Sequence, residues 1–356
     1  MPRVHVLTPG FHTPNGRAFL FPLIKWRRAL NEAGIAVRFF DHAGEATTDC
    51  DVLLVDSKFH RNRWASESDA VIEEFARFAE KCRVVYCDTT DSSGSLQAEL
   101  LPIVHVYGKA QVLADRTHYL RPLYGQRLYA DYYHRSCGIE DAAPEWSVPV
   151  QDKADLAKIR ISWNSGLADY SFAGPSRMAL YARVPLPFLL RFPEASAAPG
   201  DDRRQDVSCR FGADYPRVSV AYQRQQIRRR MADRIGTDKL SRRQYFAELR
   251  ASKVVVSPFG FGEITLKDFE VFLTGGLLLK PDMSHMQTWP DVFRAGETMA
   301  AHAWDLSDFE DTVARTAACY DEFRLLAEAG QHAYLSHLHG PEASPKFVCQ
   351  LQALIQ

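Results

Sequence analysis

Residues 257–285 read SPFGFGEITLKDFEVFLTGGLLLKPDMSH, and four ionisable groups, Glu263, Lys267, Asp268 and Glu270, fall inside eight residues of it. They follow a turn built of glycines and aromatics. Glycine lets a backbone approach a ligand closely and take up φ > 0. With a strand before it and a helix after it, such a turn aims free N–H groups and the positive end of a helix dipole outward. That suits an anion, a pyrophosphate above all, and makes Gly260 and Gly262 candidate binding residues. Spacings of four and three put Glu263, Lys267 and Glu270 on one helix face. A surface ion pair worth a few tenths of a kcal/mol is the plain alternative. Phe269, Val271, Phe272 and Leu273 crowd the other directions, so the charged face is expected to look into a wet cleft. There Lys267 would neutralise phosphate and Glu270 would accept two hydroxyl hydrogen bonds from a ribose. The turn matches neither GxGxxG nor GxxxxGK[ST], so the dinucleotide and P-loop fingerprints are both missing.

The elements that must position these groups follow an α/β rhythm. VHVLT, a helical pattern closing at Gly34, IAVRFFDH, DVLLVDS, the helix SESDAVIEEFARFAEKC, VVYCDTTDS and PIVHVYG alternate as βαβ units do, which predicts a parallel sheet. From about 110 to 150 the pattern weakens, and YLRPLYGQRLYADYYHR reads as irregular surface or a short insertion. KIRISWNSG regains strand character. EASAAPGDDRRQ, residues 194–205, is the best linker. After it DVSCRFG, two helical stretches, KVVVSP and TGGLLLKPD repeat the rhythm, followed by a helical region and the closing SPKFVCQLQALIQ. The expected division is 1–200, 201–340 and a last helix at 341–356.

Bulk properties exclude several classes. With 356 residues there is length for two ordinary domains, and 46% apolar with 24% charged residues is globular composition. A net charge of −1 gives no general pull toward nucleic acid. Basic density collects in RQQIRRRMADRIGTDKLSRR, residues 224–243, most simply a solvated helix face, with a phosphate or lipid-headgroup contact as the alternative. Seven scattered cysteines without a CxxC pair argue against a disulfide framework and a structural zinc, and fit a reducing cytoplasm. The opening MPRVHVLTPG lacks signal-peptide character, and no apolar run approaches a membrane span, so any membrane contact would be peripheral.

Open parallel sheets bind ligands at the carboxyl ends of their strands, where strand order reverses. The loops to watch are therefore PGFHTPNG, DTTDSSG, CRFG and SPFGFGE. Over residues 244–285, from YFAELRASKVVVSPFGFGE through the helix to Gly-Gly and a strand ending in Pro, the chain resembles the donor-binding region of GT-B glycosyltransferases. The likeness is to exostosin-like and bacterial capsule or lipopolysaccharide transferases. PGFHTP with ALNEAGIAV is similar, more weakly, to the opening of many such enzymes.

The resemblance implies two Rossmann-like parallel-sheet domains facing across a cleft, with the acceptor on the first and a nucleotide-sugar donor on the second. It implies a last helix crossing back onto the first domain and no requirement for a metal or other cofactor. By position, Glu270 corresponds to the acid that holds the ribose and Lys267 to the basic residue near the phosphates. The chain departs from the retaining members in one respect. Six residues rather than seven separate its two glutamates, and Glu263 follows the GFG instead of preceding it.

Sugar transfer needs charge stabilised on the leaving diphosphate and, where configuration inverts, a general base. Lys267, Arg210 and the helix start at Gly260–Glu263 are the expected stabilisers, and Arg210 could equally form a salt bridge. For the base, His12 leads, with Asp88 and Asp91 as rivals; in such a turn Asp commonly just satisfies its own backbone. The expected function is a cytoplasmic glycosyltransferase passing sugar from a nucleotide-diphosphate sugar to a glycan or glycolipid, in surface polysaccharide or glycolipid assembly. A nucleotide-sugar epimerase, a phosphorylase, or a non-catalytic nucleotide-sugar binding protein are the alternatives.

Overall fold

The computed structural model describes residues 2–356. Its first half runs β1 (Arg3–Leu7), α1 (Pro14–Lys25), α2 (Arg27–Glu32), β2 (Ala36–Phe40), α3 (Glu45–Thr48), β3 (Val52–Asp56), α4 (Arg61–Trp64), α5 (Ser68–Ala79), β4 (Arg83–Asp88), β5 (Val106–Lys109), β6 (Gln111–Leu113), α6 (Leu128–Cys137), β7 (Ile159–Ile161) and α7 (Gly174–Tyr181). Six strands pair in the order β2-β1-β3-β4-β5-β7, all parallel. The apolar runs VLLVD and RVVYCD are buried almost end to end, as strands covered on both faces must be.

The second half runs β8 (Gln205–Ser208), α8 (Val218–Met231), α9 (Arg242–Ala251), β9 (Ser252–Val256), α10 (Leu266–Thr274), β10 (Leu277–Pro281), β11 (Met286–Thr288), β12 (Ala300–His302), α11 (Phe309–Ala318), α12 (Tyr320–Ser336) and α13 (Ala343–Ile355). Its sheet has the order β12-β10-β9-β8, again parallel. These strands lie side by side in chain order, so only the first sheet has a reversal, between β1 and β3.

The halves present their carboxyl edges to each other, and they are joined by more than a linker. β6 and β11 pair antiparallel across the junction, Val112 opposite Gln287. One apolar cluster runs continuously from Val4 and Phe21 through Trp163 to Phe269 and Tyr334. Residues 194–205 are not a loose tether. Arg203, 5% exposed, donates to the carbonyls of Ala198, Leu249, Ser252 and Thr274, pinning the segment to the end of α10. There Gly275 takes φ +72°, and an added Cβ would stand 2.6 Å from the Ala198 carbonyl carbon. The last helix, α13, lies on the first sheet. Gln350 donates to the carbonyls of Ile161 and Ser162, and Phe347 packs against Trp26 and Trp163.

The stretch expected to be irregular holds α6, closed by Gly138 in the left-handed region at φ 63°. Tyr129 and Tyr133, one turn apart, are fully buried against the second half, with hydroxyls on the carbonyls of Gly260 and Trp304. An aromatic stripe with no strong apolar periodicity hid a helix that wedges the two halves together.

Candidate functional site

The glycine turn does not present an open anion seat. Helix α10 begins at Leu266 with Thr265 as its N-cap, so Glu263 lies outside the helix and shares no face with Lys267 and Glu270. The first turn caps itself: the Thr265 N–H donates to the Asp268 carboxylate at 2.8 Å. Asp268 also takes the Ser257 hydroxyl at 2.6 Å and pairs with Lys280 at 3.0 Å, all three side chains fully buried or nearly so. A charge pair that deep persists only with its remaining lone pairs satisfied, as here.

The turn itself is pressed against the first half. The Gly260 N–H bonds to the Gly262 carbonyl at 2.9 Å, and Arg127 donates to the Phe261 carbonyl. At Gly262 a Cβ would stand 2.0 Å from the backbone oxygen of Asp91. Only glycine permits that approach at 262, and the Gly260 carbonyl takes the Tyr129 hydroxyl at 2.6 Å, so both residues serve the domain junction. Glu263, 0% exposed, accepts from the Ser93 hydroxyl at 2.6 Å and from the Ser93 N–H at 3.1 Å, with His285 3.7 Å away. Burial alone would push its carboxyl up, but His285 and the Ser93 donors outweigh that and hold it below the usual range. Placed so, Glu263 ties the halves together and cannot reach a donor sugar as a catalytic group.

Lys267 and Glu270 sit behind a different opening. A pocket of about 430 Å³ lies past the carboxyl end of β8, walled by Arg210, Phe211 and Gly212 on one side and Lys239, Leu240, Arg242 and Tyr245 at the start of α9 on the other. The Lys267 ammonium donates to the Arg210 carbonyl at 2.8 Å and the Val256 carbonyl at 2.7 Å, 5.6 Å from the Phe211 ring centre. Burial among these neighbours lowers it to about 8. Glu270 takes a hydrogen bond from the Tyr245 hydroxyl at 3.0 Å and lies 3.4 Å from Arg242. Burial raises its carboxyl, with Arg242 and Tyr245 pulling the other way. Both groups therefore stand one hydrogen bond behind the pocket lining.

Arg210 realises its alternative role. Its Nε donates to both oxygens of Glu248, at 3.0 and 3.1 Å, and it lines the pocket while paired. Arg224 is a clamp: it is buried, donates to the carbonyls of Gly212, Pro258 and Phe259, and stacks near Phe211 and Tyr215.

On the first half the expected bases separate. Asp88 is buried, 2.8 Å from Lys109, and accepts from Tyr107 and the Thr90 N–H. Burial opposes its charge, but Lys109 overcomes it and holds the carboxyl low. A carboxylate so occupied cannot take a proton from an acceptor. Asp91 is exposed, held only at Oδ1 by Asn15 Nδ2 at 2.7 Å. It borders both a cavity of about 50 Å³ at the junction, shared with Trp163, Asn164 and Ile264, and a pocket of about 380 Å³ with Lys58, Trp64 and Arg127. His12 is exposed in a separate pocket of about 420 Å³ with Phe40, Asp41 and Tyr181, not in the junction cavity.

Sequence reasoning missed Phe211, Leu240, Arg242 and Tyr245 as a group. Ser241 and Gln244 form a capping box that fixes the start of α9. That signal was present, but nothing local says that the helix start faces the end of β8. Among the described residues no group of three or more His, Cys, Asp or Glu side chains is placed to hold a metal ion. No helix there is long and apolar enough to cross a membrane.

No family model and no curated protein matches the chain in sequence. Among solved structures it is similar to an alpha-glucosyltransferase in complex with UDP-glucose and DNA containing an abasic site, at 11% identity over 100% of both chains and a TM-score of 0.42. It is similar to HepE of Anabaena in complex with UDP-glucose, at 9% identity over 99% of this chain and 100% of that one, TM-score 0.45. A third likeness is to sucrose-phosphate synthase of Thermosynechococcus elongatus, at 10% identity over 99% of each chain, TM-score 0.44.

Proposed function

We propose that the chain is a glycosyltransferase that takes its sugar from a nucleoside-diphosphate donor seated in the pocket between residues 210–212 and the start of α9. The observation that carries this reading is the pairing of Lys267 and Glu270 one layer behind that pocket, at the carboxyl edge of a parallel sheet. Phe211 and Leu240 offer an apolar wall for a base. Glu270, released from Tyr245 and Arg242, accepts hydrogen bonds from ribose hydroxyls, and a charged acceptor makes these about twice as strong as neutral ones. Lys267 lies toward the diphosphate and stabilises it as it leaves, a preorganised electrostatic role.

Asp91 is the carboxylate left for the acceptor proton, since Asp88 is committed to Lys109 and His12 lies elsewhere. The junction cavity of about 50 Å³ is far below the ~300 Å³ of the smallest ordinary ligand clefts. On this reading the halves part along Gly262–Asp91 to admit substrates and close again for transfer, which excludes water from the reacting centre. Surface polysaccharide or glycolipid is the acceptor class proposed, acting without a metal.

The test is thermal shift against UDP, GDP, CDP, ADP and CMP, followed by turnover of the matching nucleotide sugars. Stabilisation by one diphosphate, lost in Glu270→Ala, supports the reading. A chain that no nucleotide stabilises contradicts it.

A further inference from the structure

The segment from Phe172 to Phe192 is the most unusual surface of the molecule. Arg183, Val184, Pro185, Leu186, Pro187 and Phe188 are exposed in succession. Leu180 is 48% exposed, Val184 and Leu186 44% and Phe188 60%. Scattered exposed apolar residues need no explanation, but four of this size within nine positions form a patch that water disfavours.

Along the chain its charge is one-sided, and the carboxylate across the neighbouring pocket, Asp41 beside Tyr181 and Pro185, is paired with His42. No Asp or Glu occurs between Asp169 and Glu194, while Arg177, Arg183 and Arg191 do. Arg177 is held by Asp169, but the Arg183 guanidinium has no hydrogen-bond or ion partner among the described residues. The α1–α2 corner extends the basic rim. Trp26 packs on Phe192 at 4.7 Å, Lys25 lies 5.5 Å over the same ring, and Arg27 follows, exposed and unpaired among the described residues.

We infer that this surface seats the protein on an anionic bilayer. Leu180, Val184, Leu186 and Phe188 enter the headgroup boundary, and Lys25, Arg27, Arg183 and Arg191 meet lipid phosphates. Apolar side chains ringed by cations are the chemistry of an interfacial contact. The tip is a compact turn that meets its own backbone needs: Pro187 opens a short 3-10 turn over Pro187–Leu189, and the Leu189 N–H donates to the Leu186 carbonyl at 3.0 Å. A protein partner would have to be acidic and apolar at once, whereas an anionic bilayer offers both in layers. The inference rests on this surface alone and does not depend on the donor site.

Co-sedimentation of the full chain with phosphatidylcholine vesicles, with and without phosphatidylglycerol, tests it. The expected result is pelleting with the anionic vesicles only, weakened by salt. Arg183→Glu should weaken it more than fivefold, because each basic residue near such a surface contributes roughly a factor of five. Leu186→Ser with Phe188→Ser should abolish it while leaving nucleotide stabilisation unchanged and thermal unfolding little changed, as both residues are exposed and lie outside the buried core. Absence of vesicle binding by the wild-type chain would overturn the inference, as would equal binding by the variants. A concentration-dependent dimer that Phe188→Ser dissolves would also overturn it and assign the surface to a second copy.

Discussion

Glu263 and Ser93, 170 positions apart, are locked together. One carboxylate oxygen takes the serine hydroxyl at 2.6 Å and the other takes its N–H at 3.1 Å, with no solvent reaching the glutamate. A group that the spacing of charges placed on a substrate instead fastens the second half to the first. Glu263→Ala leaves buried donors unmet, which costs roughly 1–3 kcal/mol. The expected result is a lower unfolding midpoint by scanning calorimetry with nucleotide affinity unchanged.

The same carboxylate predicts acid sensitivity. Its folded value is depressed, so its stabilisation is full above the ordinary carboxylate range and fades as pH falls through and below it. Denaturation curves at decreasing pH should show the loss in the wild type and a flatter profile in Glu263→Gln.

Lys267 carries a signature at alkaline pH. Held near 8 instead of 10.5, it loses its charge as pH rises past about 8, and diphosphate affinity should fall there. Stability runs the other way. The unfolded chain binds that proton more tightly, so folding gains between about 8 and 10.5. Lys267→Met should remove both trends while retaining affinity for the nucleoside alone, readable by calorimetric titration.

On the proposed mechanism, Asp88 and Asp91 separate structure from catalysis. Asp88→Asn strands Lys109 in the interior, and breaking such a pair costs about 3–5 kcal/mol, so this variant should express poorly or melt early. Asp91→Asn should melt as the wild type and bind nucleotide equally, yet lose transfer by about 100-fold or more. Equal turnover in Asp91→Asn would remove it from the mechanism.

Gly262 tests the junction. A methyl group there meets the Asp91 carbonyl at 2.0 Å, so Gly262→Ala must displace one half from the other. A larger radius of gyration in solution scattering, with faster cleavage around residues 258–264 by added protease, is the expected outcome.

What the sequence made legible was local. The strand at 252–256 and a helix after the glycine turn are legible, and Gly275 stops α10 in the left-handed region as a C-terminal glycine does. The helix start is not, since charge spacing sets it at Gly260–Glu263 whereas Thr265 caps it and α10 begins at Leu266. What it concealed was pairing at a distance. Nothing near Ser93 marks it as the partner of Glu263, and nothing in QVL or MQT announces that β6 and β11 meet across the halves. The glycines of the turn were recognised as permitting close approach. Whether a ligand or another backbone takes that approach depends on a loop 170 residues earlier.

The donor pocket is the centre of the account, and a crystal soaked with the stabilising sugar nucleotide tests it most directly. The account predicts base density between Phe211 and Leu240, ribose hydroxyls within hydrogen-bond distance of Glu270, and the diphosphate on the Lys267 side. Nucleotide density in another pocket, with Glu270 still bonded to Tyr245, would contradict it.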